Sequence, residues 1–189
     1  MAGPGDKDKV TPAAPTVEVG NGPYYVSSTA ELPDGNLNFT GLSGDPVGIS
    51  GRVFGGPGGA TPLPRAKIEI WHADAQGSYH PNAAGDAPHF HRDDLALRGY
   101  VLSGEDGHYE FRSIYPGKYP GRCRHYHTRV SAAGHTPVST QLIFPALPGD
   151  DRRPDNDFVA RSLPPDYQLA LDTKGGTQEA VFDFRLAVE

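Results

Sequence analysis

The sequence predicts an all-β fold, specifically a two-sheet β-sandwich, and three features support this prediction. The 24 Gly and 19 Pro are spread along 189 residues and divide the chain into segments that are short and rich in β-branched and aromatic residues. Several segments alternate apolar and polar residues with the period of two that a half-buried strand requires. No helical pattern of about 10 to 15 residues recurs between them, which favours two packed sheets joined by long irregular loops.

The clearest alternation lies in the segment AKIEIWHAD. There Ile68 and Ile70 fall on one face, while Lys67, Glu69 and Trp71 fall on the other. The other candidate strands are, in chain order, GISGRVFG (48–55), LRGYVLSG (97–104), HYEFRSIY (108–115), HYHTRVSA (125–132), STQLIF (139–144) and AVFDFRLAV (180–188). An Asp-Gly step between the second and third of these favours positive φ and predicts a hairpin there. The segment LPPDYQLAL (163–171) is expected to hold a short helical turn.

Composition defines the class of protein and excludes several partners. Hydrophobic residues make up 37% and charged residues 21% of the chain, as in a soluble globular protein. No run approaches the roughly 20 apolar residues of a membrane span, and a net charge of −6 without a basic cluster argues against nucleic acid. The single Cys123 excludes an intramolecular disulfide. The start lacks the apolar region of a secretory signal, so we expect a cytoplasmic protein, with a secreted form left open.

We expect two regions of unequal order. Residues 1–16 are rich in Pro, Ala, Gly and charge and are expected to form a flexible arm. Residues 17–189 are expected to form one β-sandwich domain.

Two His-x-His pairs are candidate metal ligands. His125 and His127 lie in a predicted strand, where residues i and i+2 project from the same face about 6.6 to 6.8 Å apart, and imidazole suits iron, copper, zinc and nickel. The alternative is that both are ordinary polar residues on a solvated strand. His89 and His91 lie in a segment of Pro, Asp and charge, so we interpret that pair as a loop or pocket-rim feature.

Four tyrosines need to be separated into core and site residues. Tyr109 and Tyr115 fit the usual tyrosine environment, a ring in the core with its hydroxyl near the surface. Tyr79 and Tyr119 each lie beside a glycine, in GSYH and GKYPG, where a turn can direct a side chain into a cleft.

The stretch from residue 51 to residue 144 resembles the intradiol ring-cleavage dioxygenases, the non-haem iron family of catechol 1,2-dioxygenase and protocatechuate 3,4-dioxygenase. The matching pieces, together with GPYY at 22–25, follow the family's order: GRVFG (51–55), PLPRAKIEIWHADAQGSY (62–79), LRGYVLSGEDGHYEFRSIYPGKYPGR (97–122), HYH (125–127) and TQLIF (140–144). They cover about half of the chain. The resemblance implies an Fe(III) ion and, as substrates, a small catecholic molecule and O2.

The resemblance also implies the ligand set, which is Tyr79, Tyr119, His125 and His127. Two tyrosinates suit a hard ferric ion, because a bound cation lowers the pKa of a phenol enough for it to bind as phenolate. In the family's pattern Tyr119 is the axial ligand that the substrate displaces, and it then serves as a base.

Further residues take roles by the same resemblance. Arg122 is implied to stabilise negative charge on the ring, and Gln141 to position the arginine or the substrate. Pro23 and Tyr24 are implied to contact the substrate.

Several positions depart from the family's pattern. Cys123 and Arg124 replace small or Pro-like residues, and Asn21 stands where Glu is frequent. Strand periodicity puts Arg122 on the face opposite His125, so it reaches the site only if the strand begins after it. The interval from Tyr119 to His125 is short, which predicts an open site tolerant of substituted catechols.

The departures from the family's pattern also bear on assembly. We expect a member without the helical N-terminal dimerisation segment, and a homo-oligomer remains compatible with the sequence.

Two other functions stay open. One alternative is a transthyretin-like binding module, whose Gly, Pro and aromatic skeleton is similar. The other is a family member that uses the same iron for a different oxidation. No residue selects among catechol, protocatechuate and hydroxyquinol.

Overall fold

The computed structural model describes residues 13–189 and confirms the all-β prediction. Within that range the chain forms twelve strands and five single-turn 3-10 helices. The strands are β1 (Val26–Ser27), β2 (Pro46–Gly55), β3 (Thr61–Pro62), β4 (Lys67–Trp71), β5 (Gly85–Asp86), β6 (Arg98–Leu102), β7 (His108–Ile114), β8 (His125–Ser131), β9 (Val138–Ile143), β10 (Asp172–Lys174), β11 (Thr177–Val181) and β12 (Phe184–Arg185). The 3-10 turns are Ala87–His89, Arg92–Asp94, Pro154–Asn156, Ala160–Ser162 and Pro165–Tyr167, the last inside the segment predicted to hold a helical turn.

The first sheet has the strand order β6-β4-β8-β9, and every neighbouring pair is antiparallel. Its register sets Trp71 opposite His127 on one side, and Gln141 opposite His127 on the other. Since side chains of directly paired residues project from the same face, these three residues form a row across the outer face of this sheet.

The second sheet is built around β2, its longest strand. This strand pairs antiparallel with β7 and β3, and parallel with β11 and β12, while β10 extends the sheet beyond β11. A two-residue parallel pair, β1 with β5, lies outside both sheets.

The hydrophobic core fills the space between the two sheets. Ile68 and Ile70 are 0% and 1% exposed and belong to this core, which confirms the predicted faces of β4. Tyr109 and Tyr115 are also core residues, and their hydroxyls donate to the carbonyl oxygens of Phe182 and Pro145. The outer face of the first sheet is therefore left for loops to cover.

The hairpin predicted between residues 97 and 115 is wrong. A tight turn does form, because Gly107 has φ +77° and its N–H donates to the carbonyl of Gly104. However, β6 pairs with β4 in the first sheet, whereas β7 pairs with β2 in the second. Ser103 anchors the exit from β6, since its hydroxyl donates to the Leu63 carbonyl and accepts from the Ala66 N–H. The turn thus carries the chain from one sheet to the other.

The N-terminal arm lies largely outside the described residues, which begin at residue 13. Thr16 already joins the body, since its N–H donates to the Arg185 carbonyl and its hydroxyl accepts from the Arg185 N–H, both at 2.8 Å. Among the residues that the structure describes, no helix has the length and apolar character to cross a bilayer.

Candidate metal centre

Two histidines at the start of β8 project onto the outer face of the first sheet. Their Nε2 atoms lie 3.1 Å apart, and Tyr126 between them points into the core. His125 Nδ1 lies 2.7 Å from the carbonyl oxygen of Cys123 and donates its proton there, so Nε2 carries the lone pair that faces the cluster. The ring of His127 stacks on Trp71, with centroids 5.1 Å apart and planes 6° apart. Both imidazoles are buried and held at fixed orientations.

Two loops bring the tyrosines to the histidines, and glycines allow these loops to touch. A Cβ on Gly77, which has φ +90°, would lie 2.0 Å from the carbonyl oxygen of Lys118, and one on Gly117 would lie 2.3 Å from that of Asp74. The Gly117 N–H donates to the same Asp74 carbonyl at 2.8 Å. The chain segments that end in Tyr79 and Tyr119 therefore pack backbone against backbone, which no larger residue permits.

The four polar atoms form one continuous cluster. Tyr79 Oη lies 3.4 Å from Tyr119 Oη, and Tyr119 Oη lies 3.0 Å from His125 Nε2, which in turn contacts His127 Nε2. Tyr24 stacks on the ring of Tyr79 with centroids 4.5 Å apart. The structure thus brings together all four side chains that the resemblance implies as ligands.

Burial shifts the pKa values of all four side chains in the cluster towards their neutral forms. Burial raises the pKa of Tyr79 well above its usual value and also raises the pKa of Tyr119. Burial, together with the positive charge of Arg122, lowers the pKa of His125 to about 3, and burial also lowers the pKa of His127 well below its usual value. At neutral pH the four side chains by themselves are therefore neutral donors, and His127 Nδ1 has no hydrogen-bond partner within residues 13–189.

A metal ion suits this donor set. Two imidazole nitrogens and two phenol oxygens within hydrogen-bond distance of one another can bind one cation, which would displace the phenol protons. Across the described part of the chain, no group of three or more His, Cys, Asp and Glu side chains could hold a metal ion. In this candidate centre, the hydroxyl oxygens of Tyr79 and Tyr119 supply the donors beside the two imidazoles.

Arg122 reaches the cluster because β8 begins after it, at His125, which meets the condition set by strand periodicity. Its Nη1 lies 3.5 Å from His125 Nε2, and its Nη2 donates to Gln141 Oε1 at 2.6 Å. Its Nε donates to Asp157 at 2.9 Å. Burial alone would raise the pKa of Asp157, but hydrogen bonds from Arg122 and from the backbone of Ala160 and Cys123 lower it to about 2.

The chain segment before β1 carries Pro23 and Tyr24, the residues expected to contact the substrate. Tyr24 covers Tyr79 and lies edge-on to Tyr119, with centroids 6.3 Å apart. Pro23 is exposed and follows Gly22, where a Cβ would lie 3.0 Å from His127 Cε1. Asn21 instead accepts a hydrogen bond from the Ser139 hydroxyl at 2.6 Å, two residues along β9 from Gln141.

Other residues singled out in the sequence lie outside the cluster. His89 and His91 are exposed, at the end of a 3-10 turn and just after it. Burial raises the pKa of the Cys123 thiol to about 12. Arg124 pairs with Asp150 through two hydrogen bonds of 2.8 and 2.9 Å, so its charge is already neutralised by a carboxylate.

Sequence reasoning missed two buried charged residues beside the centre. Asp157 is 0% exposed, and its partner Arg122 is 35 positions away in sequence, so no local pattern reveals the pair. Arg98 is 2% exposed and donates to the carbonyl oxygens of Tyr24, His80 and Pro81. It forms no ion pair with a described carboxylate, and its guanidinium carbon lies 5.7 Å from the ring centroid of Tyr79.

The alternation in AKIEIWHAD correctly predicts that Trp71 lies on the outer face of β4, but it assigns no function to this side chain. Its stacking on His127 depends on the pairing register of the two strands, which the sequence does not contain.

Comparison with known proteins identifies the family. Residues 20–188 match the family model described as Dioxygenase. The chain is 32% identical over 173 residues to hydroxyquinol 1,2-dioxygenase of Rhizobium sp. strain MTP-10005, covering 81% of this chain and 55% of that one. The chain spans about half the length of the curated relatives it matches.

Solved structures agree with this match. The dioxygenase domain of a dioxygenase and carbohydrate-binding protein fusion from Streptomyces sp. SirexAA-E superposes with a TM-score of 0.73 at 31% identity, covering 93% of this chain and 100% of that one. An intradiol ring-cleavage dioxygenase from Tetranychus urticae has a TM-score of 0.75 at 21% identity, covering 93% and 95%, and shows the fold alone. From the family model, which matches nearly the whole chain, and from these relatives, it follows that the chain belongs to the intradiol ring-cleavage dioxygenase family.

Proposed function

We propose that the protein is a non-haem Fe(III)-dependent intradiol dioxygenase. It would cleave a catecholic ring between its two hydroxylated carbons with O2 and give a cis,cis-muconate-type diacid. The observation that carries the proposal is the convergence of Tyr79, Tyr119, His125 and His127, with successive donor atoms 3.4, 3.0 and 3.1 Å apart. Two phenolates and two neutral imidazoles suit a trivalent ion better than a divalent one, because the phenolates offset more of its charge.

Bound to these four residues, the ferric ion would supply Lewis acidity and make a bound catecholate reactive toward O2. The family relationship supports this choice of metal, and the hydroxyquinol 1,2-dioxygenase of Rhizobium is named for a substrate of the catecholic class.

Tyr119 is proposed to accept a proton from the substrate. It is half-buried, and its hydroxyl lies 3.0 Å from His125 Nε2. Tyr79 is 3% exposed, and its ring lies against Tyr24 and near Arg98. A proton acceptor has to come within hydrogen-bond reach of the entering hydroxyl, and the more exposed tyrosine is better placed for this.

Arg122 is proposed to stabilise negative charge on the substrate ring, and Gln141 to position the arginine or the substrate. Arg122 is held by Asp157 and Gln141, and its Nη1 points towards the cluster. A fixed cation stabilises developing charge without reorganising. Pro23 and Tyr24 are proposed to line the substrate pocket from the chain segment before β1.

The proposal is tested by the visible absorbance of the purified protein, before and after anaerobic addition of catechol, protocatechuate and hydroxyquinol. A tyrosinate-to-ferric charge-transfer band that shifts with one of these compounds, followed by O2 uptake and formation of a diacid, is the expected result. His127→Ala should abolish the band and the activity, and His89→Ala, as the matched control, should leave both.

Two results would overturn parts of the proposal. A colourless protein that binds no iron after reconstitution would refute the metal centre. A coloured iron protein that cleaves no catechol would refute ring cleavage and favour a different oxidation at the same centre.

A further inference from the structure

The carboxylate of Asp157 lies fully buried next to the proposed metal centre. Its Oδ2 accepts hydrogen bonds from Arg122 Nε at 2.9 Å and from the Cys123 N–H at 2.8 Å. Its Oδ1 accepts from the N–H groups of Val159 and Ala160, both at 3.0 Å. One side chain therefore ties the loop before β8 to the segment that begins the 3-10 turn Ala160–Ser162.

The first consequence concerns the direction of Arg122. Its Nε is engaged by Asp157 and its Nη2 by Gln141, while Nη2 also lies 3.4 Å from Asp157 Oδ1. Nη1 is left facing the cluster, 3.5 Å from His125 Nε2. Because the guanidinium is planar and its donors are rigidly spaced, fixing two nitrogens fixes the third.

The second consequence concerns His125 itself. Asp157 holds the N–H of Cys123, and the carbonyl of Cys123 lies 2.7 Å from His125 Nδ1. The same carboxylate thus supports the residue that orients a histidine of the cluster, which is how residues behind a metal ligand set its tautomer and direction.

We propose that Asp157 is a positioning residue of the reaction, which holds Arg122 so that Nη1 faces the substrate site. This inference rests on the proposed function. Asp157 touches no substrate in this assignment and acts through Arg122.

A second buried ion pair in the same loop provides a matched control. Arg124 donates to both oxygens of Asp150 and to the carbonyl of Pro116, so its guanidinium is directed away from the histidines. Both pairs are formed by an arginine of the loop before β8 and a distant, largely buried aspartate. Of the two arginines, only Arg122 also contacts the metal-binding cluster.

The test is a double-mutant cycle with Asp157→Ser and Arg122→Gln. Serine is a good acceptor at a helix start and keeps a cap for Val159 and Ala160, but it is too short to reach the guanidinium. The expected result is that the iron content and the visible band of the resting protein stay, while kcat falls on the order of 100-fold and KM changes little. In the Arg122→Gln background the same change should add less than about 3-fold, because residues that act as a unit are not additive.

Asp157→Asn is the second variant, in case the serine variant is poorly folded. The amide keeps the shape of the carboxylate, yet either orientation sets an NH2 group against two N–H donors. The control Asp150→Ser should lower the melting temperature comparably and leave kcat within about 3-fold, as expected for a pair that does not act on the reaction.

Two outcomes would overturn the inference. One is a folded Asp157 variant with kcat within about 3-fold of the wild type. The other is an effect that multiplies with that of Arg122→Gln, which would show that Asp157 acts independently. If the protein binds iron and catechol but cleaves none, the proposed function fails. The same cycle is then measured on the shift that anaerobic catechol causes in the visible band, and a folded Asp157 variant that keeps the wild-type shift refutes the role of Asp157.

Discussion

The substitution Gly77→Ala tests whether backbone docking of two loops builds the metal centre. The new Cβ would lie 2.0 Å from the carbonyl oxygen of Lys118, so the loops that carry Tyr79 and Tyr119 have to separate. Left-handed backbone costs a residue with a Cβ about 1 to 2 kcal/mol, and steric overlap about 1 to 3 kcal/mol. A loss of about 2 to 5 kcal/mol lowers the melting temperature of a chain of this size by about 4 to 20 °C.

The assay combines thermal unfolding with the visible absorbance of the iron-loaded protein. Gly176→Ala is the matched control. Gly176 has φ +85°, and a Cβ added there would meet no described atom within 4 Å, so this variant isolates the cost of backbone strain. The control should lose a few degrees and keep its band, whereas Gly77→Ala should lose more stability and the band together. If the two variants unfold at the same temperature and both keep the band, loop docking does not build the site.

Four further outcomes are expected. Tyr79→Phe should abolish the activity and reduce the visible band to the contribution of Tyr119, whereas the exposed His89→Ala should leave both unchanged, as absorbance, iron analysis and O2 uptake will show. Tyr119→Phe should keep a tyrosinate band from Tyr79 while kcat falls, which stopped-flow absorbance and O2 uptake will measure. Arg98→Gln should lower the free energy of unfolding in urea by about 1 to 3 kcal/mol, because carbonyl oxygens lose their donors. Burial lowers the pKa of His72 to about 3, so between about pH 6.5 and pH 3 this histidine is protonated in the unfolded chain and neutral in the folded one. The free energy of unfolding should therefore fall as the pH is lowered through this range, by at most about 5 kcal/mol. The fall should be less steep in His72→Gln.

The parts of the fold and site that follow a strict period could be predicted from the sequence. Alternation in AKIEIWHAD indicated the buried face of β4, and the same period indicated the common face of His125 and His127. A period of two follows from the pleat alone and needs no knowledge of the partner strand. Tyr79 and Tyr119 come from loops, so their meeting required a resemblance to known sequences as well as the local glycine signal.

The features that depend on distant partners could not be predicted in this way. The Asp-Gly step fixes a turn, but it does not determine whether the following strand joins the same sheet, and here β7 finds its partner in β2. The contacts of Asp157 with Arg122 and of Arg98 with the Tyr24 carbonyl have no local signature either, because these partners come from remote segments. Buried polar networks are specified by the whole fold, so they can be recognised only once it is known.

The four proposed ligands differ in how firmly the protein holds them, and this difference bears on the reaction. His125 is fixed by a hydrogen bond to a backbone carbonyl, His127 by stacking on Trp71, and Tyr79 by burial at 3% exposure. Tyr119 is half-buried and has only edge-on aromatic contacts within the cluster. Moving a side chain costs the packing that it loses, so Tyr119 is the ligand that can leave at the lowest free-energy cost. The asymmetry of packing therefore supports Tyr119, rather than Tyr79, as the residue that yields its place to the substrate and takes up its proton.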